Sequence, residues 1–288
     1  MTVTRRPDEL ELVPRAVAIG TFDGVHRGHG AVVRAAVESG LRPTVVTFDP
    51  HPRAVLGNRV ELLTTLERRI ELLLEHGIED ILVVSFTPEL AALPPDEFAR
   101  EVLLRIGAQV VVVGDGFRFG RRREGDADLL RSLGIDARPV PLVDDVSSTQ
   151  IRAHAAAGEV EAAAQLLGRP LEVEGIVVSG DQRGGTLGFP TANLGVAPSV
   201  LVPGFGIYAG AVGDRRAAVS IGVNPHYGGK ERRVEAFLLD WEGDLYGSRL
   251  VVELWQRLRD ERAFASESDL VDQIARDVEQ TRSAVRPV

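Results

Sequence analysis

The chain contains the segment Gly20-Thr21-Phe22-Asp23-Gly24-Val25-His26-Arg27-Gly28-His29, which joins an apolar run to a helical pattern. Residues 16–19 predict a short buried strand, and residues 31–38 predict the helix that follows. Open α/β sheets bind ligands at such turns, where the N–H groups at the start of the helix attract phosphate oxygens. The segment therefore predicts a phosphate site with two neighbouring imidazoles, His26 and His29. A solvated surface turn is the alternative interpretation.

The same alternation of strand and helix continues through the first half of the chain. Short β-branched runs predict strands over residues 44–48, 81–86 and 110–113, and helical patterns lie between them at 66–76 and 95–105. Strands that alternate with helices form parallel sheets covered on both faces. We therefore expect a Rossmann-like α/β domain.

The pattern of the sequence changes near residue 168. An alanine-rich helix is predicted over 149–167, and a Gly-Arg-Pro sequence ends it. Beyond it, strands interrupted by glycine are predicted at 173–179, 206–212, 216–223, 233–240 and 249–257, and a final helix is predicted over 266–281. We expect two domains, residues 1–167 and 168–288. The second should be a mainly antiparallel barrel or sandwich with a C-terminal helix.

Composition restricts the partners and ligands of the chain. Its 288 residues carry a net charge of −9 and include no cysteine. The acidic balance argues against a nucleic-acid partner, and no run of about eighteen apolar residues predicts a membrane span. We expect a cytoplasmic protein, because the first residues lack the apolar segment of a secretory signal. Without thiolates, a bound metal would take oxygen or imidazole ligands.

The segment around the two histidines resembles a known signature. His26-Arg27-Gly28-His29 is similar to the HxGH motif of the nucleotidylyltransferase superfamily. The longer string resembles the family of bacterial bifunctional riboflavin kinase/FMN adenylyltransferases. The resemblance implies that His26 and His29 are catalytic and stabilise charge during adenylyl transfer. It also implies that Gly20, Phe22 and Gly28 contribute to ATP binding.

A second phosphate motif is predicted at the far end of the same domain. Ser147, Ser148 and Thr149 supply hydroxyls, and Arg152 follows one helical turn later. This arrangement offers a helix N-terminus and a guanidinium to phosphate oxygens, although a plain capping segment has the same appearance. By resemblance it is the second signature of the superfamily, which implies that these four residues bind the triphosphate of ATP.

A polar turn follows the second predicted strand and should reach the same edge of the sheet as the histidines. It contains Phe48, Asp49 and His51. A proline-fixed turn whose Asp caps a helix is the alternative to a direct ligand role. The resemblance places this segment on the flavin side of the adenylyl-transfer site.

Another candidate flavin-binding segment follows the fourth predicted strand. Phe117, Arg118 and Phe119 supply two aromatic rings and a guanidinium. The rings are candidates for stacking on the flavin, and a place in the core is the commoner fate of phenylalanine. Gly116 departs from the Asn or Asp usual in the family, which removes one polar side chain from the expected adenylyltransferase centre.

A glycine-rich loop in the second half leads into Thr191 and Asn193. In an extended segment these two side chains point the same way, as ligands of one oxygen-loving cation would need, whereas a flexible loop ending in a turn is the alternative. The string Gly-Phe-Pro-Thr-Ala-Asn resembles the riboflavin kinase signature. This implies that Thr191 and Asn193 contact Mg²⁺ and nucleotide phosphates, and that Gly180 and Gly188 also bind ATP.

A single carboxylate lies among apolar residues of a predicted strand in the second half. Glu235 would be costly there without a task or a partner, and an exposed strand face is the competing interpretation. By resemblance Glu235 is the general base of the kinase reaction. His226 and Phe237 stand where the family usually has Thr and many members have His, so we expect an altered fit of flavin or nucleotide.

The resemblance implies a bifunctional enzyme of FAD biosynthesis that uses ATP and Mg²⁺. Riboflavin would be phosphorylated to FMN, and FMN adenylylated to FAD with release of pyrophosphate. Its partners would be small molecules, with no nucleic acid or membrane, and the oligomeric state is left open. Three alternatives are kept: a kinase whose adenylyltransferase is weakened, marked by Gly116 and short connections near Gly40 and Val143; a non-catalytic flavin- or nucleotide-binding regulator; and a transferase acting on another substrate, which would not explain the second domain.

Overall fold

The computed structural model describes residues 1–141, 143, 146–179, 189–223 and 232–287. The chain forms two compact units. The first comprises Met1–Val60 with Leu66–Ser147, and the second comprises Glu61–Thr65 with Ser148–Val288. The polypeptide therefore passes between the units three times, at residues 60/61, 65/66 and 147/148.

The first unit is built on a six-stranded sheet in which all neighbouring strands are parallel. Its strands are β1 (Thr2–Thr4), β2 (Arg15–Ile19), β3 (Arg42–Asp49), β4 (Asp80–Ser85), β5 (Ala108–Gly114) and β6 (Asp136–Val140). They lie in the order β1-β4-β3-β2-β5-β6. The predicted Rossmann-like sheet is confirmed. The two edge strands, β1 and β6, were not predicted, because β6 is largely exposed and contains Pro139, and β1 has only three residues.

Helices and hydrophobic clusters accompany this sheet. The helices are α1 (Arg27–Val37), α2 (Pro52–Val55), α3 (Leu66–Glu75), α4 (Pro88–Ala91), α5 (Pro95–Phe98) and α6 (Ala127–Ser132). α5 continues as a π-helical segment (Ala99–Leu103) and a 3₁₀ turn (Leu104–Ile106), so the helix predicted over 95–105 changes its pitch along its length. Side chains of β2 alternate between two hydrophobic clusters, with Val17 and Ile19 in one and Ala16 and Ala18 in the other. A central strand covered on both faces is typical of a parallel sheet.

The second unit contains a closed six-stranded barrel in the order β10-β11-β8-β7-β12-β9. Its strands are β7 (Leu171–Val178), β8 (Ala192–Gly195), β9 (Gly206–Val212), β10 (Arg215–Val223), β11 (Arg232–Leu238) and β12 (Arg249–Arg259). Each pairing between neighbours is antiparallel. Of the two predicted alternatives, the second unit is therefore a barrel and not a sandwich. A C-terminal helix, α9 (Glu267–Ser283), follows the barrel and is capped by Ser266.

The prediction of one helix over 149–167 is wrong. The structure has two helices there, α7 (Ser148–Ala157) and α8 (Val160–Leu167). They separate at Gly158, which has a φ of 77°. A Cβ at this position would lie 2.6 Å from the hydroxyl of Tyr208. Glycine is needed here both for the left-handed backbone and for the close approach of the barrel side chain.

A short segment from the first half of the sequence is incorporated into the second unit. Within Glu61–Thr65, the N–H of Leu62 donates to Ser199 O at 2.7 Å, and Leu62 O accepts from the N–H of Leu201 at 2.8 Å. The hydroxyl of Thr65 donates to Glu174 Oε2 at 2.6 Å. These bonds attach the segment to the second unit, with Leu62 and Val200 forming an isolated parallel β-bridge.

The amino-terminal edge of the parallel sheet is held by a buried ionic network. Arg15 and Asp80 are almost fully buried, and Arg15 Nη1 lies 2.5 Å from Asp80 Oδ2. Arg42 Nε lies 2.6 Å from the same oxygen. Burial raises the pKa of Asp80, but hydrogen bonds from Arg42 and Arg15 outweigh it and hold the pKa of the carboxyl below its ordinary value. The ionised form of Asp80 therefore stabilises the fold.

The variant Asp80→Asn should destabilise the first unit by about 3 kcal/mol at neutral pH, since it leaves the buried Arg15 guanidinium without its anionic partner. Because folding lowers the pKa of Asp80, its contribution is fully present above its unfolded value of about 4. That contribution is lost as the pH falls through the folded pKa. As the pH falls between these two pKa values, the variant should lose stability less steeply than the wild type.

Calorimetry combined with fluorescence measures this effect, because both tryptophans, Trp241 and Trp255, belong to the second unit. Tryptophan emission therefore reports the unfolding of the second unit. Heat absorption not accompanied by a change in emission reports the unfolding of the parallel-sheet unit. Equal stability of the parallel-sheet unit in the variant and the wild type at neutral pH would contradict the assigned role of Asp80.

Candidate active sites

The two histidines of the opening segment lie at the start of α1, as predicted. His26 is the N-cap residue, and its Nδ1 accepts a hydrogen bond from the backbone N–H of His29 at 3.3 Å. The imidazole rings stack with centroids 3.6 Å apart and planes inclined by 17°. An accepting Nδ1 requires the tautomer of His26 with its hydrogen on Nε2. The cap therefore makes Nε2 of His26 a donor.

The backbone before the helix has an unusual conformation. Phe22, Gly24 and Val25 have φ angles of 49°, 82° and 38°. The left-handed region is strained for a β-branched residue, and such strain persists only where the surroundings over-determine it. The turn from Phe22 to Val25 is thus held by the fold around it.

Gly20, Phe22 and Gly28 are the other residues predicted in this segment, and they shape the surroundings of the two imidazole rings. Phe22 is buried, and its ring meets that of His29 edge-on with centroids 5.3 Å apart. A Cβ on Gly20 would lie 3.3 Å from the Phe22 ring, and one on Gly28 would lie 3.2 Å from the His26 ring. These glycines therefore make room for the rings that orient the histidine pair.

The serine-rich motif begins beside the same turn. Val146 O lies 3.9 Å from the position of a Cβ on Gly28, and Ser147 follows it in the first unit. Ser148, Thr149 and Arg152 lie on α7 in the second unit. There the Nε of Arg152 donates to Glu61 O at 2.7 Å.

The predicted flavin-binding aromatics form a continuous chain of ring contacts. Phe48 contacts Phe98, Phe98 contacts Phe119, and Phe119 stacks on Phe117, with centroids 6.3, 5.8 and 5.6 Å apart. Phe119 is buried in a hydrophobic cluster, whereas Phe48 and Phe117 are only partly buried. Phe48 and Phe117 are therefore the rings that a planar ligand can reach.

The polar residues of the flavin-side segments have defined partners. Asp49 Oδ2 lies 2.7 Å from Arg5 Nη2. The helix cap in this turn is supplied by His51, whose Nδ1 accepts from the N–H of Arg53 at 3.1 Å, and not by the aspartate that the capping alternative named. Arg118 is exposed and pairs with Asp126 at 2.9 Å.

Gly116 has a φ of 72° and faces open space, since no atom lies within 4 Å of the position of its Cβ. Its N–H donates to Asp115 Oδ1 at 2.9 Å. Asn and Asp are the other residues that visit this left-handed conformation readily. The left-handed backbone at this position therefore suits Gly in this chain, and it equally suits the Asn or Asp that is usual in the family.

Sequence reasoning missed a buried arginine at this edge of the sheet. Arg69 on α3 is 1% exposed, and its Nη1 donates to Phe48 O at 3.2 Å. Its charge interacts with the carboxylates of Asp23 and Asp49. The available signal was its position on the apolar face of α3, three residues after Leu66 and three before Leu72.

The second candidate site lies on the barrel. Glu235 on β11 is paired in register with Asn193 on β8. The hydroxyl of Thr191 lies 3.4 Å from Glu235 Oε2, and Arg233 Nη1 lies 3.2 Å from Glu235 Oε1. The structure thus brings Thr191, Asn193 and Glu235 together. Asn193 Oδ1 is buried and has no hydrogen-bond partner among the described residues.

Strand alternation places this group on the outer face of the barrel. Val234, Ala236 and Leu238 are buried on the inner face of β11, so Glu235 points outward, with its side chain 30% exposed. It is neither an isolated buried carboxylate nor a freely exposed one. Its two partners, Thr191 and Arg233, orient both carboxylate oxygens.

Two neighbours of Glu235 were not predicted. Ser220 on β10 is its register partner on the other side. Glu261 lies against the backbone of β10, where a Cβ on Gly222 would overlap its carboxylate. Burial raises the pKa of Glu261, the nearby Arg259 lowers it, and the charge of Glu235 raises it further. The sequence signal for this neighbour was Gly222, whose lack of a side chain lets the Glu261 carboxylate approach β10.

Some predicted residues of the kinase motif lie outside the described residues, namely Gly180, Gly188 and His226. Phe237, the other departure from the family, contacts Phe189 edge-on with centroids 5.4 Å apart. Within the described ranges, no group of three or more His, Asp or Glu side chains is placed to hold a metal ion. No helix in that part of the chain is long and apolar enough to span a membrane.

Known protein families match both halves of the chain. A family model described as FAD synthetase matches residues 9–153, and one described as riboflavin kinase matches residues 167–285. A bifunctional riboflavin kinase/FMN adenylyltransferase of Listeria monocytogenes is 35% identical, with 96% of this chain and 94% of that protein covered. The Escherichia coli K12 protein of the same name is 36% identical, with 91% and 90% covered.

A solved structure shares the whole architecture. A crystal structure from Streptococcus pneumoniae, described as a macrolide-efflux protein, is similar with a TM-score of 0.87 and 31% identity, and 99% of each chain is covered. That name describes transport, whereas both family models and the two relatives describe flavin nucleotide synthesis. With its FAD synthetase and riboflavin kinase regions in one polypeptide, the chain belongs to the family of bifunctional riboflavin kinase/FMN adenylyltransferases.

Proposed function

We propose that the turn before α1 is the adenylyl-transfer centre, with His26 and His29 as its catalytic residues. The observation that supports this most directly is the stacked, capped histidine pair at the carboxyl end of a central parallel strand. Ser147, Ser148, Thr149 and Arg152 would bind the triphosphate of ATP. The partly buried rings of Phe48 and Phe117 would face the flavin.

The reaction at this centre needs no covalent enzyme intermediate. A phosphate oxygen of FMN attacks the α-phosphorus of ATP, and the bond to the departing pyrophosphate breaks. Nε2 of His26, made a donor by the cap, and the ring of His29 stabilise the charge that moves onto the phosphate oxygens. The protein thus contributes orientation and fixed donors.

The kinase centre is proposed at Glu235 on the outer face of the barrel. Its carboxylate is oriented by Thr191 and Arg233, so a free lone pair can accept the proton of the ribityl hydroxyl of riboflavin. That oxygen attacks the γ-phosphorus of ATP, and ADP leaves. A regulator that only binds flavin would have no need of an oriented base.

Mg²⁺ fits the donors present at this centre. Thr191 supplies a hydroxyl, and Asn193 Oδ1 is a buried oxygen without a partner among the described residues. Mg²⁺ prefers oxygen ligands and retains several waters, so these two residues would hold it. When bound there, the ion would neutralise charge on the nucleotide phosphates.

The functional division of the chain follows from these assignments. We propose residues 1–167 as the adenylyltransferase domain and 168–288 as the kinase domain, although α7 and α8 belong to the second compact unit. The substrates would be small molecules only. Because ATP is a cytoplasmic metabolite, we place the enzyme in the cytoplasm.

The two centres should be separable by single substitutions. Glu235→Gln should lower FMN formation from riboflavin by about 10³-fold, because it removes the general base, and should leave conversion of FMN to FAD intact. His29→Ala should lower FAD formation by about 10²-fold, as expected for the loss of one donor to the transition state, and should spare FMN formation. Chromatographic separation of riboflavin, FMN and FAD over time measures both steps.

Matched controls are available in each unit. Glu253 is another barrel glutamate held by an arginine, Arg286, at 2.7 Å. His76 is a histidine whose Nδ1 lies 2.7 Å from the carbonyl oxygen of Leu72. Glu253→Gln and His76→Ala should retain both activities. Loss of both activities from either Glu235→Gln or His29→Ala, in folded protein, would refute independent centres.

The magnesium assignment can be tested with Thr191→Val, which keeps the side-chain shape but lacks the oxygen. The Mg²⁺ concentration required for half-maximal FMN formation should rise by about tenfold, because one ligand is lost. The Mg²⁺ dependence of FAD formation should stay as in the wild type. An unchanged requirement in the kinase step would remove Thr191 from the metal site.

The weakened-adenylyltransferase alternative is tested at Gly116. Gly116→Asn should fold with a change in stability of less than about 0.5 kcal/mol, since Asn tolerates the left-handed conformation and its side chain enters open space. We expect wild-type FAD formation to be comparable with FMN formation, and the variant to match it. Pyrophosphate release from ATP and FMN measures this. A large gain of FAD formation in the variant would show that Gly116 weakens the centre.

A further inference from the structure

Arg69 lies at the edge of the parallel sheet where adenylyl transfer is proposed. It belongs to α3, and its side chain is 1% exposed. Arginine is very rarely buried to this extent unless it is paired. Its Nη1 donates to the carbonyl of Phe48 at 3.2 Å, next to the end of β3. Its Nε is buried without an acceptor among the described residues.

Two carboxylates compensate the buried charge, and they come from different loops. Burial lowers the pKa of Arg69, and the charges of Asp23 and Asp49 oppose that effect. Asp23 is fully buried in the turn before α1, between the left-handed residues Phe22 and Gly24. Asp49 ends β3 in the flavin-side segment. One guanidinium is therefore in electrostatic contact with the histidine turn and with the flavin-side turn.

Two neutral hydrogen bonds also join the segments that lead into the two turns. Thr47 Oγ1 donates to Thr21 O at 3.2 Å, and the N–H of Gly20 donates to Val46 O at 3.1 Å. Both bonds lie before the strained residues and do not reach Asp23. A fully buried carboxylate without a cation would be strongly destabilising. The charge of Arg69 is thus one interaction that stabilises the buried carboxylate of Asp23.

We propose that Arg69 is a positioning residue for adenylyl transfer, which fixes the histidine turn relative to the flavin-side turn through Asp23, Asp49 and the carbonyl of Phe48. It acts through these groups and touches neither substrate. The proposal rests on the assignment of adenylyl transfer to this edge of the sheet.

Positioning predicts a kinetic effect that simple loss of stability does not. If the two turns separate slightly, FMN and ATP are held out of line, and displacements of about 1 Å can cost about 10²-fold in rate. Arg69→Met should therefore lower kcat for FAD formation by about 10²-fold and raise KM for FMN. Arg69→Lys keeps the charge but not the planar fork, and it should recover part of the lost rate. FMN formation from riboflavin should be unchanged in both variants.

Arg15 provides a matched control in the same unit. It is equally buried and pairs with Asp80, but it lies at the opposite edge of the sheet. Arg15→Met should lower the melting temperature yet leave kcat and KM of FAD formation close to wild type, when all variants are assayed well below their melting temperatures. A parallel loss of kcat in Arg15→Met and Arg69→Met would overturn the proposal.

Hydrogen exchange gives a readout that does not depend on activity. Amides of residues 22–29 and 48–51 should exchange faster in Arg69→Lys than in the wild type, and they should be unaffected in Arg15→Met. If Arg69→Met fails to fold, Arg69→Lys decides the question. Wild-type kcat together with unchanged exchange at residues 22–29 would refute the role of Arg69. Absence of FAD formation by the wild-type protein would instead refute the proposed function, and the exchange data would still report on Arg69.

Discussion

The hydrogen bond from the backbone N–H of His29 to Nδ1 of His26 serves two purposes at once. It satisfies an orphan donor at the start of α1, and it fixes the tautomer and plane of the first imidazole, on which the second is stacked. The glycines at 20 and 28 and the left-handed turn before the helix make this arrangement possible. The chemistry proposed for the first unit depends on this one cap, because it converts a loop histidine into an oriented donor.

Buried charges at the two edges of the parallel sheet have different roles, one in stability and one in positioning the turns. At the amino edge, Asp80 is surrounded by Arg15 and Arg42, so the network is compact and serves stability. At the carboxyl edge, Arg69 is shared between Asp23 and Asp49 on separate turns. In the barrel, too, one charged side chain joins two elements. Glu235 is held by Arg233 on its own strand, β11, and by Thr191, which directly precedes β8.

Much of this could be predicted from the sequence, for identifiable reasons. β2 to β5 each contain a short run of buried apolar and β-branched residues, so the sequence pattern located them. The spacing of His26 and His29 placed both rings near the start of one helix. β6 was missed because its side chains are mostly exposed. The break at Gly158 was missed because alanine-rich sequence flanks it on both sides. The left-handed backbone and the close approach of Tyr208, which require glycine there, are evident only in the structure. Arg69 and Glu261 were missed because their partners come from distant elements.

The short segment Glu61–Thr65 bears on how this polypeptide can be dissected. Its backbone is bonded to residues 199 and 201, and its Thr65 is bonded to Glu174, although it is encoded between β3 and α3 of the first unit. No single cut in the gene can therefore yield both units with all their own parts. A fragment beginning at Ser148 would leave the carbonyl of Ser199 and the N–H of Leu201 without their hydrogen-bond partners on Leu62. An autonomous kinase would therefore have to be engineered with a graft of these five residues.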